Sequence, residues 1–480
     1  MRARRLLALI VAAAWAGIAA WHVNKPLPAG THVASPVCTV NAQELRFIAD
    51  ITAADGFGRP VVSQGIFDEE LRIVRQARRF IVLDYSRFGA APALGAPQRR
   101  IAAELTDALL VQRRERPQLK VLLLIDPVNE RYGATRLPEL QLLRAAGVEV
   151  VPVRLDALRD SNPLYSGLWR LALRWWDAPR FPLGVATRRL NFKADERKLL
   201  IADDGRGALV AVVSSANPLD EQTGWSNAGA RVAGAALAPL LGSELELARL
   251  SGWRARADGD PFAPAQPPQC ASDPGETAGA GSSARVQVLT EGAIRAVLLE
   301  RLDGARRGDG IDVAMFHLAD HAVAEALLAA ARRGVAVRLI LDPNEDAKRG
   351  TLGIPNEPVA SELVARSGGA IRVRWYRTHA EHFHDSLVMI YDRERLWLTL
   401  GSGNLTRRSL DDYNLEANVA IEVARSAALA SQALEYFDSL WSNRAALGIE
   451  YTADFAVYAD PSQSHYWLAR LMEGAGLSTF

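Results

Sequence analysis

The chain repeats itself, and the repeat limits its folds more than any other feature. On either side of a Pro-, Gly-, Ala- and Ser-rich segment (254–285), the same succession of apolar runs occurs twice in the same order. VSQG (62–65) matches LTEG (289–292), and each opens an amphipathic helix. Phe67, Leu71 and Val74 keep helical spacing in the first, Ile294, Leu298 and Leu302 in the second. FIVLDY (80–85) matches IDVAMF (311–316), LKVLLLIDPVNE (119–130) matches VAVRLILDPNED (335–346), and GVEVVPVRL (147–155) matches GAIRVRWY (369–376). ERKLLIADD (196–204) then falls opposite HDSLVMIYD (384–392), VVSSANPLD (212–220) opposite TLGSGNLTR (399–407), and WSNAGARV (225–232) opposite YNLEANVA (413–420). Near-continuous apolar strands such as VLLLI and LVMI belong in sheets covered on both faces. The chain is therefore predicted to be α/β, with two similar domains packed about a pseudo-twofold axis. Each would be a mixed β-sheet flanked by helices. The boundaries follow as an N-terminal segment (1–40), a first domain (41–253), a linker (254–285) and a second domain (286–480).

A site between two such domains would draw one residue set from each. The first half offers Glu196, Lys198, Asp203, Ser215 and Asn217; the second offers His384, Ser386, Ser402, Asn404 and Glu416. Positions two apart on a strand share a face, so Glu196 points with Lys198 and His384 with Ser386. Lys and Asn donors suit the non-bridging oxygens of a phosphodiester. A histidine can attack phosphorus or protonate a leaving oxygen, and a carboxylate such as Glu416 can hold that imidazole in its working tautomer.

These residues resemble the phospholipase D superfamily, whose mark is H-x-K-x4-D followed by G-S-x-x-N, once in each half. GSGNLTRRSLDDYNLEANVAI (401–421) carries the resemblance most specifically, and in all it covers about 55–450. It implies a phosphohistidine on one histidine, a general acid from the other half, and no metal or other cofactor. It also implies a phospholipid or other phosphodiester as substrate, met at a membrane surface, with no obligatory protein partner. Residue by residue, Lys198, Asp203 and Asn217 match in the first copy, and His384, Gly401, Ser402, Asn404 and Glu416 in the second. Glu196 stands at the first histidine position. Ser386 replaces the second lysine, Tyr391 the second aspartate, and Gly229 is taken as the counterpart of Glu416. All eight histidines lie outside 33–316, so a second imidazole would have to come from His317, His379 or His382.

Three readings of Glu196 stay open. A buried carboxyl beside a phosphate, its pKa raised, would be the general acid for a His384 nucleophile. It could instead be the nucleophile, through an acyl-phosphate. Or it repels the diester and pairs with Lys198, leaving a lapsed site retained as a phospholipid-binding or interaction module. Extracellular nuclease activity is a further reading. Neither motif region shows the basic and aromatic stripe of a strand-binding groove, and 56 basic against 55 acidic residues imply no global polyelectrolyte partner.

The N-terminus, MRARRLLALIVAAAWAGIAAWHVNK, reads as a secretory signal or an uncleaved anchor, which would place the rest at the extracytoplasmic side of the cell envelope. The two cysteines, Cys38 and Cys270, either pair in an oxidising compartment or remain free thiols. LYSGLWRLALRWWDAPRF (164–181) is predicted as a helix lying on a bilayer or packed into the core. In HAEHFHD (379–385), His382 and His384 form a plausible metal pair, or else His384 works alone.

Overall fold

The computed structural model describes residues 2–476 apart from 56, 58, 91–98, 177–186, 189, 192, 255–261, 263–269, 271–282, 345–352, 380, 444–448 and 461. Most of the linker and positions 177–181 of the helix predicted from 164 lie outside the described residues.

Strand β1 (Cys38–Asn41) joins the second sheet. The first sheet is built from β2 (Arg46–Ala54), β3 (Pro60–Gln64), β4 (Phe80–Tyr85), β5 (Lys120–Ile125), β6 (Glu149–Pro152), β7 (Lys198–Asp203), β8 (Leu209–Ser214) and β9 (Asn227–Ala233), in the order β3-β2-β9-β8-β7-β4-β5-β6. The second adds β10 (Ser283–Thr290), β11 (Gly310–Met315), β12 (Ala336–Leu341), β13 (Ile371–Tyr376), β14 (Ser386–Tyr391), β15 (Arg395–Gly401), β16 (Ala417–Ala424) and β17 (Thr452–Asp454). Its order is β1-β10-β16-β15-β14-β11-β12-β13-β17. Each sheet holds three parallel strands, β4-β5-β6 and β11-β12-β13, with antiparallel pairing elsewhere. Over seven strands the two orders are the same.

The apolar strands are explained by what lies on each face. Phe80, Val82, Leu199 and Ile201 share one core with Leu387, Met389 and Val419 of the other sheet. Their neighbours Ile81, Leu83, Leu200 and Ala202 pack outward against helix residues Phe67, Leu71 and Val74. In the second half Val313 and Val388 do the same against Ile294, Leu298 and Leu302. Sheet therefore packs on sheet with helices outside, so both strand faces are dry.

The structure corrects the repeat in one place. VSQG does not occupy the position of LTEG, because β3 is an edge strand paired only to β2. It is β2 that pairs with β9, as β10 pairs with β16. The first half therefore carries an extra hairpin arm before its helix Gly65–Gln76, and the sequence match came from the helix start alone. Val61 and Val62 are exposed on that arm.

The two halves are also tied outside the repeat. Besides the β1–β10 ladder, Ser35 N donates to Val288 O (3.0 Å) and Thr290 N to Val33 O (2.9 Å), so the segment before residue 41 completes the second sheet. Cys38 and Cys270 are disulfide-bonded, with Cα atoms 5.2 Å apart. Within the linker, Phe262 is buried against Phe80 (6.1 Å) and Trp253 (5.6 Å).

The helix Arg2–Asn24 is long and apolar enough to cross a membrane, and most of its side chains are exposed. Its second half lies on the helix Pro163–Leu171, where Trp15 Nε1 donates to Leu164 O (3.0 Å). Gly167 permits the approach: a Cβ there would meet Trp15 Cδ1 at 2.9 Å and Ala19 Cβ at 3.0 Å. The helix predicted over 164–181 is thus shorter, ending at Leu171 before a 3-10 turn at Leu173–Trp176. It is neither fully core nor fully surface. Trp169 is buried, while Leu164 and Leu168 are exposed.

Candidate active site between the two sheets

Two short parallel bridges cross between the halves, Asp195 to Leu415 and Ser226 to Phe383. Glu196 N donates to Leu415 O (2.9 Å) and Leu415 N to Ala194 O (3.1 Å). On the other side, His384 N donates to Ser226 O (2.8 Å) and Ser226 N to His382 O (3.0 Å). Exchanging the halves maps one pair of bonds onto the other. Each half's first motif residue is therefore seated on the strand entry of its partner, Glu196 beside Glu416 and His384 beside Asn227.

This crossing corrects the role expected of Glu416. His384 Nδ1 lies 3.0 Å from Ser215 O and 3.2 Å from Asn227 Oδ1, not against a carboxylate. A backbone carbonyl only accepts, so Nδ1 carries the hydrogen and Nε2 the lone pair. The counterpart of Glu416 is Asn227 rather than Gly229, since Ser215 N bonds Ala228 O as Ser402 N bonds Ala417 O. Aligning by this ladder rather than by the W/Y positions of the sequence brings Asn227 opposite Glu416.

Ser215 and Ser402, offered as site residues by the sequence, hold these crossing residues. Ser215 Oγ lies 3.2 Å from Asn227 Oδ1, and Ser402 Oγ donates to Glu416 Oε2 at 2.5 Å. Ser386 is buried and donates to Gly403 O. Asp203 sits at the far end of β7, where its carboxylate accepts from the backbone N–H groups of Arg78, Arg79 and Phe80. There it clamps the entry to β4, away from the crossing. Asn217 Oδ1 accepts from Arg87 N (3.0 Å) and its amide donates to Gln222 Oε1 (3.1 Å). In the second half Asn404 Oδ1 takes His317 N (3.3 Å) in the same way.

Lys198 is almost wholly buried and donates to Glu196 O (2.8 Å) and Glu196 Oε2 (3.1 Å); Ser86 Oγ donates to the same carboxylate at 2.8 Å. Burial works to raise the Glu196 carboxyl, but Lys198 and Arg87, with hydrogen bonds from Ser86 and Lys198, hold it down at about 2. Glu196 is therefore an anion here, contrary to the raised pKa expected of a general acid. Glu416 takes the opposite course. Burial pushes it up to about 7, with Lys198 opposing and Glu196 adding to the rise. Its Oε1 finds no hydrogen-bond partner among the described residues. Burial and the Lys198 ammonium push His384 well below its ordinary 6.5, against the pull of Glu196, so the imidazole is neutral.

Around His384 stands an aromatic wall that sequence reasoning missed. Trp225 lies 5.1 Å from its ring and Phe316 4.7 Å, and both also flank His382. His382 turns its Nδ1 toward Asp342 (3.6 Å), so the two histidines of the suggested metal pair face different partners. Among the described residues, no three His, Cys, Asp or Glu side chains are grouped to hold a metal. Arg408, also missed, is buried beside the carboxylates, with Nη2 3.1 Å from Asn414 Oδ1. Beneath the crossing, Arg197 is fully buried. It joins Glu244 of the first half (2.8 Å) to Glu291 of the second (2.7 Å).

Residues 298–441 match the family model of the cardiolipin synthase phospholipase D-like domain. Over that part of its second half the chain is similar to the phospholipase D superfamily. Its fold resembles phosphatidylserine synthase from Haemophilus influenzae Rd KW20, at TM-score 0.57 and 12% identity, covering 96% of this chain and 97% of that one. At that identity the likeness speaks for the fold alone. Polyphosphate kinase from Porphyromonas gingivalis (TM-score 0.45, 14% identity, 91% of this chain and 53% of that one) is too distant to carry an argument. The same is true of the phospholipase D family member Nuc from Salmonella typhimurium (TM-score 0.27, 22% identity, 36% and 97%). No curated relative matches at the sequence level. Within the superfamily's two-copy pattern, this chain has one histidine and one lysine at the crossing, each contributed by a different half.

Proposed function

We propose that the protein is a membrane-held phosphodiesterase or headgroup transferase acting on phospholipids, with His384 as nucleophile. One observation carries the reading: Nδ1 of His384 is hydrogen-bonded to Ser215 O, which leaves the lone pair on Nε2 of a neutral ring beside Lys198. Attack by Nε2 forms an N–P bond and breaks the P–O bond to the leaving alcohol. Water or a second alcohol then breaks the N–P bond. Lys198, Asn217 and Asn404 take the phosphate oxygens. The leaving oxygen draws its proton from the Glu196–Glu416 pair, in which Glu416 holds a proton near neutral pH. The apolar N-terminal helix, docked on the first domain, supports a substrate met at the membrane and a place in the cell envelope.

A binding module without turnover is the second reading. It is favoured by the direct Lys198–Glu196 ion pair and by the Ser386 hydroxyl being spent on Gly403 O. Purified protein assayed on phosphatidylglycerol, phosphatidylcholine and single-stranded DNA separates the readings. The enzyme reading expects turnover on a phospholipid that falls about a thousandfold or more in His384→Ala, and retained activity in that variant sinks it. If wild type is silent and the double variant Glu196→His/Ser386→Lys turns over, the site is a lapsed diesterase kept for binding.

A further inference from the structure

A cavity of ≈ 590 Å³ opens beside the crossing, walled by the turns after β5 and β6, the helix Pro163–Leu171 and the approach to Glu196. We propose that it is a second anion site, taking the phosphate group of an acidic amphiphile at the membrane interface. The proposal goes beyond the chemistry at His384 and does not depend on it.

Charge carries it first. Arg and Lys number six along the wall, Asp and Glu three. Even with Arg174 and Arg188 set aside, the carboxylates are shared among too many cations. Asp160, beneath the cavity, takes both Arg170 (2.7 Å) and Lys193. Glu130 takes both Arg144 (2.8 Å) and Arg136 (3.4 Å), and Asp156 faces Arg154 at 3.4 Å. Lys25 arrives at the same place from the end of the N-terminal helix, donating to Asp156 O (2.9 Å). Its amine falls to about 8, chiefly through burial and then through repulsion from Lys193 and Arg170, with Asp160 and Asp156 opposing. A phosphate supplies that charge together with several acceptors for guanidinium and ammonium donors.

Shape and place carry it further. Trp169 and Tyr132 give the wall an apolar side, and the volume suits a glycerophosphate with the first carbons of its chains. The cavity lies where the apolar N-terminal helix ends, at the level of lipid headgroups if that helix sits in a bilayer. It also touches the crossing: Asp126, on its wall, accepts from Asp195 N at 2.8 Å, one residue before Glu196. A lipid phosphate held here would set a neighbouring diester in register with His384.

The test uses the full chain in neutral detergent. Dihexanoyl phosphatidate below its micellar concentration, sn-glycerol 3-phosphate and dihexanoyl phosphatidylcholine are titrated by calorimetry. We expect phosphatidate to bind, phosphatidylcholine to bind at least tenfold more weakly, and Arg136→Ala/Arg154→Ala to lose at least tenfold for phosphatidate. Both arginines are largely exposed, so the variant should keep its wild-type circular dichroism. Binding of sn-glycerol 3-phosphate that the variant also loses would identify a free phosphate monoester as sufficient, whereas binding of phosphatidate alone would identify the lipid. His384→Ala should bind phosphatidate as wild type does, which separates this site from the proposed catalysis. Equal affinity in the double variant and wild type, or no phosphatidate binding by wild type, overturns the proposal.

Discussion

At the scale of single residues, the crossing decides chemistry. A histidine held through Nδ1 by a carbonyl and an amide needs no carboxylate to set its tautomer, and Asn227 does for His384 what Glu416 was expected to do. Asn227→Ala should leave the fold intact and lower turnover by about 100-fold, the loss that follows when a reacting group shifts by about an ångström. Steady-state kinetics would show it in kcat more than in KM, and an unchanged kcat would remove Asn227 from the site. Glu416 sets a pH limit. Its proton is held below about 7 and lost above, and on the proposed reading that loss removes the acid that serves the leaving oxygen. Activity should therefore decline as pH rises through about 7, and Glu416→Gln, which has no acidic proton to give, should lower kcat across the whole range and leave a pH–rate profile without that descending limb. The positions of Glu196, Lys198 and His384 were legible because the motif of the resembled superfamily falls on them in each half, and strand periodicity puts Glu196 with Lys198 on one face. Asn227 was not, because its partner lies 157 residues away and only a ladder between two halves brings them together.

At the scale of elements, the helix Pro163–Leu171 is the informative case. Its Trp and Leu pattern suits a bilayer surface or a core equally, because apolar periodicity says which face is dry and not what dries it. Here another helix does part of the covering, through Gly167. Gly167→Val should push Trp15 and Ala19 away, costing about 1–3 kcal/mol of overpacking. Thermal melts and faster proteolysis within the N-terminal helix would register it, whereas unchanged melting and cleavage would mean the two helices do not hold each other. The hairpin arm of β2 and β3 teaches the converse. A good local match at VSQG aligned a helix start correctly and a strand wrongly, since strand partners are chosen by backbone ladders that leave no mark on neighbouring letters.

At the scale of the whole molecule, buried carboxylates set the pH response of stability. Asp50 and Glu70 are pushed up to about 8 by burial, and Asp385 and Glu416 to about 7, from ordinary values of 3.8 and 4.5. Between those ordinary values and the raised ones the folded chain binds more protons than the unfolded chain. The stability they lend is full below about pH 4 and is lost as pH rises through about 7 to 8. Calorimetry should therefore find a higher Tm at pH 5.5 than at pH 8, and a Tm that rises over that interval would mean these groups are ionised in the native state. The sequence alone determined that there are two α/β halves, which strands are dry on both faces, and which half supplies the lysine and which the histidine. Periodicity and repetition are local properties of a chain and can be read along it. Tertiary structure alone decided that Lys198 and Arg87 hold Glu196 down as an anion, that burial lifts Glu416 to about 7, that Asn227 lies against His384 Nδ1, and that Cys38 meets Cys270. Each of these depends on groups brought together by packing one sheet against the other, and on the burial that packing imposes.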